Sequence, residues 1–231
     1  MEVNAVQNVR IIFSKTDNAR FISHLDLVRC FQRAFQRANI PIIFTEGFNP
    51  KPYMTFAMPL SLGIEGLNEI LDIKVKNMGF DEIKIRLEKE MPEGIKILSC
   101  HEPEIKASEV GFSQYIIEIK QRAMSLEAFD KAVYELLTTP GLTVSKLGKQ
   151  GKRKVVKEIS LTENIQSLKN WNDNRETNVI TMILTSNNSF GINPFLVLNL
   201  IEERLEISFD SAHIIRKKML TLDGKDFYSL D

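Results

Sequence analysis

The feature that most constrains this chain is one order of strand-like and helix-like segments, spelled twice. From Val9, "VRIIFSK" has the apolar, β-branched character of a strand, and Ser23 then opens a helical stretch, "SHLDLVRCFQRAFQRAN". Asp26 stands three residues after Ser23 as a capping-box partner. Leu25, Val28, Phe31, Phe35 and Ala38 recur at helical spacing and predict the apolar stripe of that helix. "PIIFT" reads as a short strand, and "EILDIKVK" as a longer one with Leu71, Ile73 and Val75 on one face and Asp72, Lys74 and Lys76 on the other. A second helix starts near Phe80, with Asp81 and Glu82 at its positive end, and Pro92 and Gly94 stop it before the strand "GIKILSC". The order is β-α-β-β-α-β.

The second half repeats it. "SQYIIEIK" is a strand, and Ser125 caps a helix that carries Leu126, Phe129, Val133, Leu136 and Leu137. "LTVSKL" and "NVITMILT" are strands, Asn193-Pro194 opens a helix with the capping residue followed by proline, and "SAHIIRKKM" closes the series. Between these strands, "SLTENIQSLK" reads as a short helix and "NDNRETN" as a loop. The predicted fold is α+β: two tandem ferredoxin-like (βαββαβ) domains with antiparallel sheets. Residues 1–106 form the first and 107–231 the second. Each has a long insertion after its second strand, Glu46–Asn68 rich in proline and aromatics, and Gly148–Asn178 opening with basic residues.

Composition narrows the classes of function. Of 231 residues, 30 are basic and 30 acidic, so a wholly basic nucleic-acid coat is excluded while local patches remain possible. No apolar run approaches the ~18 residues that would span a bilayer, and "MEVNAVQNVR" lacks the basic and apolar regions of a secretory signal. Two cysteines, Cys30 and Cys100, do not make a disulfide framework or a structural zinc site by themselves. A reduced cytoplasm is the expected location. No metal-ligand spacing joins the three histidines, and neither a P-loop nor a Gly-x-Gly-x-x-Gly run is present, so no metal or nucleotide cofactor is expected.

The stretch "TEGFNPKPYMTFAMPLSLGIEG" breaks the regular grammar. Pro50 and Pro52 force extended backbone on Asn49 and Lys51 and stiffen the segment, which suits a surface held in one pose for binding. The alternative is that Phe48, Tyr53 and Phe56 plug the gap between the two predicted domains and the prolines only guide the turn. Arg29, Arg33 and Arg37 recur every four residues on the first helix, and between Val9 and Tyr53 seven basic residues face three acids. That is either a solvated helix face or a phosphate-binding stripe. "KLGKQGKRKVVKE" adds six cations before Glu158, equally suited to a soluble loop or to a phosphate chain. His24, in the first turn of the first helix, is a candidate for proton transfer or for packing the helix start.

Over Val9–Val75, through "FISHLDL", "EGFNPKP", "PLSLGIEG" and "LDI", the chain resembles the radical-SAM-linked domain of unknown function. That bacterial family occurs alone or joined to the C-terminus of a radical SAM protein. Where the family commonly has "GFNPHP", this chain has Lys51 in place of the histidine. The resemblance implies a partner, a radical SAM enzyme carrying an iron–sulfur cluster and S-adenosylmethionine. The cluster's Cys-x-x-x-Cys-x-x-Cys motif is absent from this sequence. The tandem layout is also similar to the endoribonucleases that process CRISPR transcripts, although "NNSFGINP" is poorer in glycine than their C-terminal loop.

The leading expectation is an RNA-binding accessory protein for a radical SAM enzyme that modifies tRNA or rRNA. Arg20, Arg29, Arg33, Arg37, Lys51, Lys149, Lys152, Arg153 and Lys154 would meet phosphate, with Phe48 and Tyr53 stacking on bases or docking a partner. One rival is a metal-independent endoribonuclease with His24 as general acid or base and Lys51 stabilising the transition state. Another is a protein scaffold that docks the radical SAM enzyme.

Overall fold

The structure is a computed structural model, and it describes residues 5–150, 153–171, 177–187 and 189–227. Its elements are β1 (Val6–Lys15), α1 (His24–Arg37), β2 (Met54–Phe56), β3 (Glu65–Lys76), α2 (Phe80–Glu88), β4 (Ile95–His101) and β5 (Val110–Lys120). There follow α3 (Leu126–Leu137), β6 (Thr143–Gln150), β7 (Arg153–Ser160), β8 (Ile165–Trp171), β9 (Asn178–Thr185), α4 (Pro194–Leu205) and β10 (Ser211–Thr221). The fold is α+β, with four α-helices among the described residues and a mostly antiparallel strand arrangement. Two compact units are present: residues 1–111 with 215–231, and residues 112–214. The final segment, 215–231, thus belongs with the first unit.

In the first unit, β1 lies between β4 and β3, antiparallel to both. The far edge of β3 is shared. Its C-terminal half pairs with β2 (Met54 opposite Ile73, Phe56 opposite Leu71), while Glu65 and Gly66 lie beside Ile215 and Arg216 in parallel. That parallel pairing corrects the expectation of purely antiparallel sheets. The predicted strand "PIIFT" is reduced to bridges, Ile42 to Val75 and Phe44 to Pro52, because Pro41, Pro50 and Pro52 have no N–H to give a ladder.

Both faces of this sheet are covered. Val9, Ile11, Phe13, Leu71, Ile73, Val75, Ile95 and Ile97 pack under α1 and α2. On the other face Ile12 and Ile70 meet Ala57, Val110, Met219 and Phe227. Helix α1 begins as expected: the Ser23 hydroxyl accepts from the Asp26 N–H and donates to the Asp26 carboxylate at 2.7 Å. Its buried stripe is Leu27, Phe31, Ala34, Phe35 and Ala38. Leu25, expected inside, is 68% exposed, and Val28 is only partly covered.

In the second unit β9 lies between β5 and β8, antiparallel to both. β5 and β9 alternate buried and half-buried residues, and α3 and α4 supply Phe129, Val133, Leu137, Val197 and Ile201 to the interior. β6 and β7 form a separate two-stranded hairpin. The stretch read as a helix, "SLTENIQSLK", is instead a turn followed by β8, paired with β9. Here pairing with a central strand outweighs weak local preference. Part of the expected "NDNRETN" loop, residues 172–176, lies outside the described residues.

The first unit buries charge as well as hydrocarbon. Arg216, 2% exposed, grips the Glu69 carboxylate through Nε at 2.9 Å and through Nη2, and also donates to the Met58 carbonyl at 2.8 Å. Lys15 is fully buried and donates to the carbonyls of Ile22 at 2.7 Å and Arg20 at 3.3 Å. Arg10 forms a two-pronged pair with Asp72, its neighbour across the ladder, at 2.7 Å for each prong. Gly66 is required by this arrangement: a Cβ there would strike the Glu69 carboxylate, which Arg216 holds in place.

Removing one partner of a buried pair strands the other charge. Glu69→Leu or Arg216→Met alone is therefore expected to destabilise the protein by about 3–5 kcal/mol in chemical denaturation, while the double substitution recovers most of that loss. Additive losses in the double variant would contradict the pairing.

Candidate nucleic-acid interface

The irregular stretch is a closed loop with a mechanical logic. Ile43 accepts from the Tyr53 N–H, and Thr45 donates its N–H to the Lys51 carbonyl, both at 2.8 Å. The Lys51 N–H in turn donates to the Thr45 hydroxyl at 2.9 Å. Every cross-link on this side thus falls on Lys51 or Tyr53, and the two prolines occupy the alternate positions, where no donor is needed. Gly47, at φ 124°, turns the tip. The ladder ends with Phe48 wholly in solvent at that tip.

The aromatics of the stretch divide into core and surface. Phe56 is partly buried and meets Phe13, Phe31 and His24 edge-on, with ring centroids 6.0, 5.7 and 5.2 Å away. Tyr53 is 40% exposed, and the Lys74 ammonium sits 4.6 Å from its ring centroid.

Along α1, Arg29, Arg33 and Arg37 line one side of a trough of about 570 Å³, with Cys30 and Asp26. Lys89, Glu90, Met91 and Pro92 form the opposite side. Sequence reasoning found the arginines and missed Lys89 and Glu90, which reach the trough only through the packing of α2's end. Two arginines are already paired: Arg29 to Asp26 at 2.9 Å and Arg37 to Glu90 at 2.7 Å. The Arg29 pair lies in solvent and contributes little, while Arg37 also donates to the Glu90 carbonyl at 2.6 Å. Burial pushes the Cys30 thiol up, against the opposing charges of Arg37 and Arg33.

On the adjoining strip of α1, Gln32, Phe35 and Gln36 face the proline loop across a groove of about 260 Å³. Ile40, Ile42, Phe44, Pro50, Lys51 and Pro52 complete its lining. Lys51 is thus in the groove rather than in the trough. Phe44, 50% exposed, was hidden in the sequence by its place in an apparent strand. The i, i+4 spacing of Gln32 and Gln36 was legible there but unremarkable.

The other expected residues lie apart. Arg20, partly exposed, pairs with the mostly buried Glu65 at 3.7 Å and covers the Phe21 ring at 4.8 Å. The basic run falls in the second unit, on β6 and β7, where Lys149 is opposite Lys154, Gln150 opposite Arg153 and Lys146 opposite Lys157. Lys152 lies outside the described residues.

His24 is the first residue of α1, half-buried against Phe56. Burial, and secondarily the Lys15 charge, hold its imidazole below the usual value. Among the described residues no three His, Cys, Asp or Glu side chains gather as a metal site needs, and no helix is long and apolar enough to cross a membrane.

These features define an α+β protein whose first unit presents a basic trough, a neighbouring groove and a bare aromatic tip. Residues 8–194 match the family described as an uncharacterized protein conserved in bacteria (DUF2344), and the chain belongs to that family. No curated protein matches the chain. Among solved structures it is similar in fold to a chain of the Cbf5-Nop10-Gar1 complex, with a TM-score of 0.50 at 6% identity. That alignment covers 91% of this chain and 48% of the other, so this chain spans about half of its neighbour's length. A candidate glycine cleavage system transcriptional repressor aligns at 11% identity over 92% of this chain and 99% of its own, with a TM-score of 0.24.

His24 and His101 are both held below the ordinary imidazole value, His101 by burial and then by Arg10. Below about pH 6.5 the unfolded chain binds protons that the native state refuses, so stability falls as pH drops towards the folded values. The denaturation midpoint is expected to decline between about pH 7.5 and 5.5, and His24→Gln to lessen the decline. An identical decline in the variant would contradict this environment for His24.

Proposed function

We propose that the protein binds RNA through its first unit and acts as an accessory to a radical SAM enzyme that modifies tRNA or rRNA. The observation that carries RNA binding is the surface of α1: a trough lined by Arg29, Arg33, Arg37 and Lys89 against two acids, beside a loop with Phe48 bare at its tip. Exposed cations for phosphate next to an unpacked ring for bases is the usual combination for single-stranded segments. The enzyme partner rests on the motif resemblance around "FISHLDL" and "EGFNPKP". We further infer that each unit is a ferredoxin-like split β-α-β, a reading supported by the orders β4, β1, β3, β2 in the first and β5, β9, β8 in the second.

A second reading, docking of the radical SAM enzyme itself, is favoured by the exposed Phe48. Protein interfaces anchor on such aromatics.

A salt titration separates charge from stacking. If Arg29, Arg33 and Arg37 each meet a phosphate of single-stranded RNA, replacing all three with alanine flattens the log affinity against log salt slope by about 2, at roughly 0.7 per phosphate. Phe48→Ala leaves the slope unchanged and costs about 1–3 kcal/mol. Unchanged affinity and slope in the triple variant would reduce the stripe to a solvated helix face.

A further inference from the structure

The groove between α1 and the proline loop has a mixed lining that fits a particular kind of occupant. Phe35, Ile40, Ile42, Phe44, Pro50 and Pro52 form apolar walls, Gln32 and Gln36 place two carboxamides along one rim, and Lys51 adds a cation with no carboxylate in the lining. Its volume of about 260 Å³ lies just below the roughly 300–1,000 Å³ typical of sites for drug-sized molecules, which is room for one flat ring system.

We propose that this groove takes a single unpaired adenine of RNA, stacked on Phe44, with Gln32 or Gln36 on its edge and Lys51 at its phosphate. The inference rests on the RNA reading and names what the RNA must offer. An adenine edge presents an acceptor beside a donor, and one carboxamide matches both at once. An apolar side chain in the same place would cover two carboxamides and an ammonium without partners, each at a desolvation penalty. That asymmetry selects the base over a leucine or phenylalanine from a protein, including Phe48 of a second copy. Anionic complementarity through Lys51 runs the same way, because the nucleotide brings its own phosphate. Gln32 and Gln36 adjoin the arginine strip on α1, so a base held here leaves the backbone free to continue into the trough.

The test uses the full chain and labelled oligouridine carrying, at its centre, adenosine, uridine or an abasic site. The adenosine oligonucleotide should bind roughly 5- to 150-fold tighter than the uridine one, the range for one good bidentate contact. Gln32→Leu with Gln36→Leu should erase that preference. Equal affinity for the adenosine and uridine oligonucleotides, whether or not the abasic one is weaker, overturns the adenine site and leaves RNA binding standing. The comparison of adenosine with uridine decides this on the unsubstituted protein. Failure of every oligonucleotide to bind removes the RNA reading; in that case saturation-transfer NMR with AMP decides the groove. A signal that Gln32→Leu with Gln36→Leu abolishes keeps a nucleotide site, and no signal ends it. Concentration-dependent dimerisation in sedimentation, abolished by Phe48→Ala, would assign the groove to a second copy and overturn the proposal.

Discussion

The first unit depends on a carboxylate that cannot reach water. Glu69 sits inside β3 at 3% exposure, and Arg216 is the group that neutralises it. Their pairing holds Ile215 and Arg216 against Glu65 and Gly66 and so brings Met219 and Phe227 onto the second face of the sheet. The same region contains Lys15, whose ammonium is held down by burial, partly restored by Glu69 and opposed by Arg216. Lys15 ties the carbonyls of Arg20 and Ile22 inward just before α1 begins. The electrostatic centre of the unit therefore also anchors the turn that leads into α1.

Helix α1 then serves two purposes with one periodicity. Leu27, Phe31, Ala34 and Phe35 fill the space over β1 and β3, and the positions between them carry glutamines and arginines outward. The proline loop rests against the glutamine strip and the segment after α2 against the arginine strip, so both cavities are formed by what leans on the helix. A loop closed by Thr45, Lys51 and Tyr53 holds its shape without filling its tip, which leaves Phe48 in water. Conformational cost is met when the loop folds rather than when it binds.

Much of this was legible in the chain because the signals were local. Ser23 with Asp26, Asn193 with Pro194, and the alternation in "EILDIKVK" each name an element through chemistry within a few residues. The α1 stripe was misplaced by two residues at its start, since Leu25 and Leu27 are equally apolar and only packing chooses between them. β8 was missed because its strand character comes from pairing with β9, while "SLTENIQSLK" by itself leans to helix. Buried charge was the least visible. Lys15, Glu69 and Arg216 are residue types that normally face water, and partners 147 residues apart leave no local signature. At the candidate site, the arginine spacing was readable on one helix, whereas Lys89, Glu90 and Phe44 required the tertiary fold.

The central claim is that the outer surface of α1 and the proline loop is where RNA lies. Ultraviolet crosslinking in cells, followed by mass spectrometry of nucleotide-bearing peptides from this protein, tests it most directly. The account predicts adducts on the segments 24–37 and 44–53, with Phe48 among the modified positions. Nucleotide adducts confined to other surfaces such as α2, or none where a protein partner is captured instead, would contradict it.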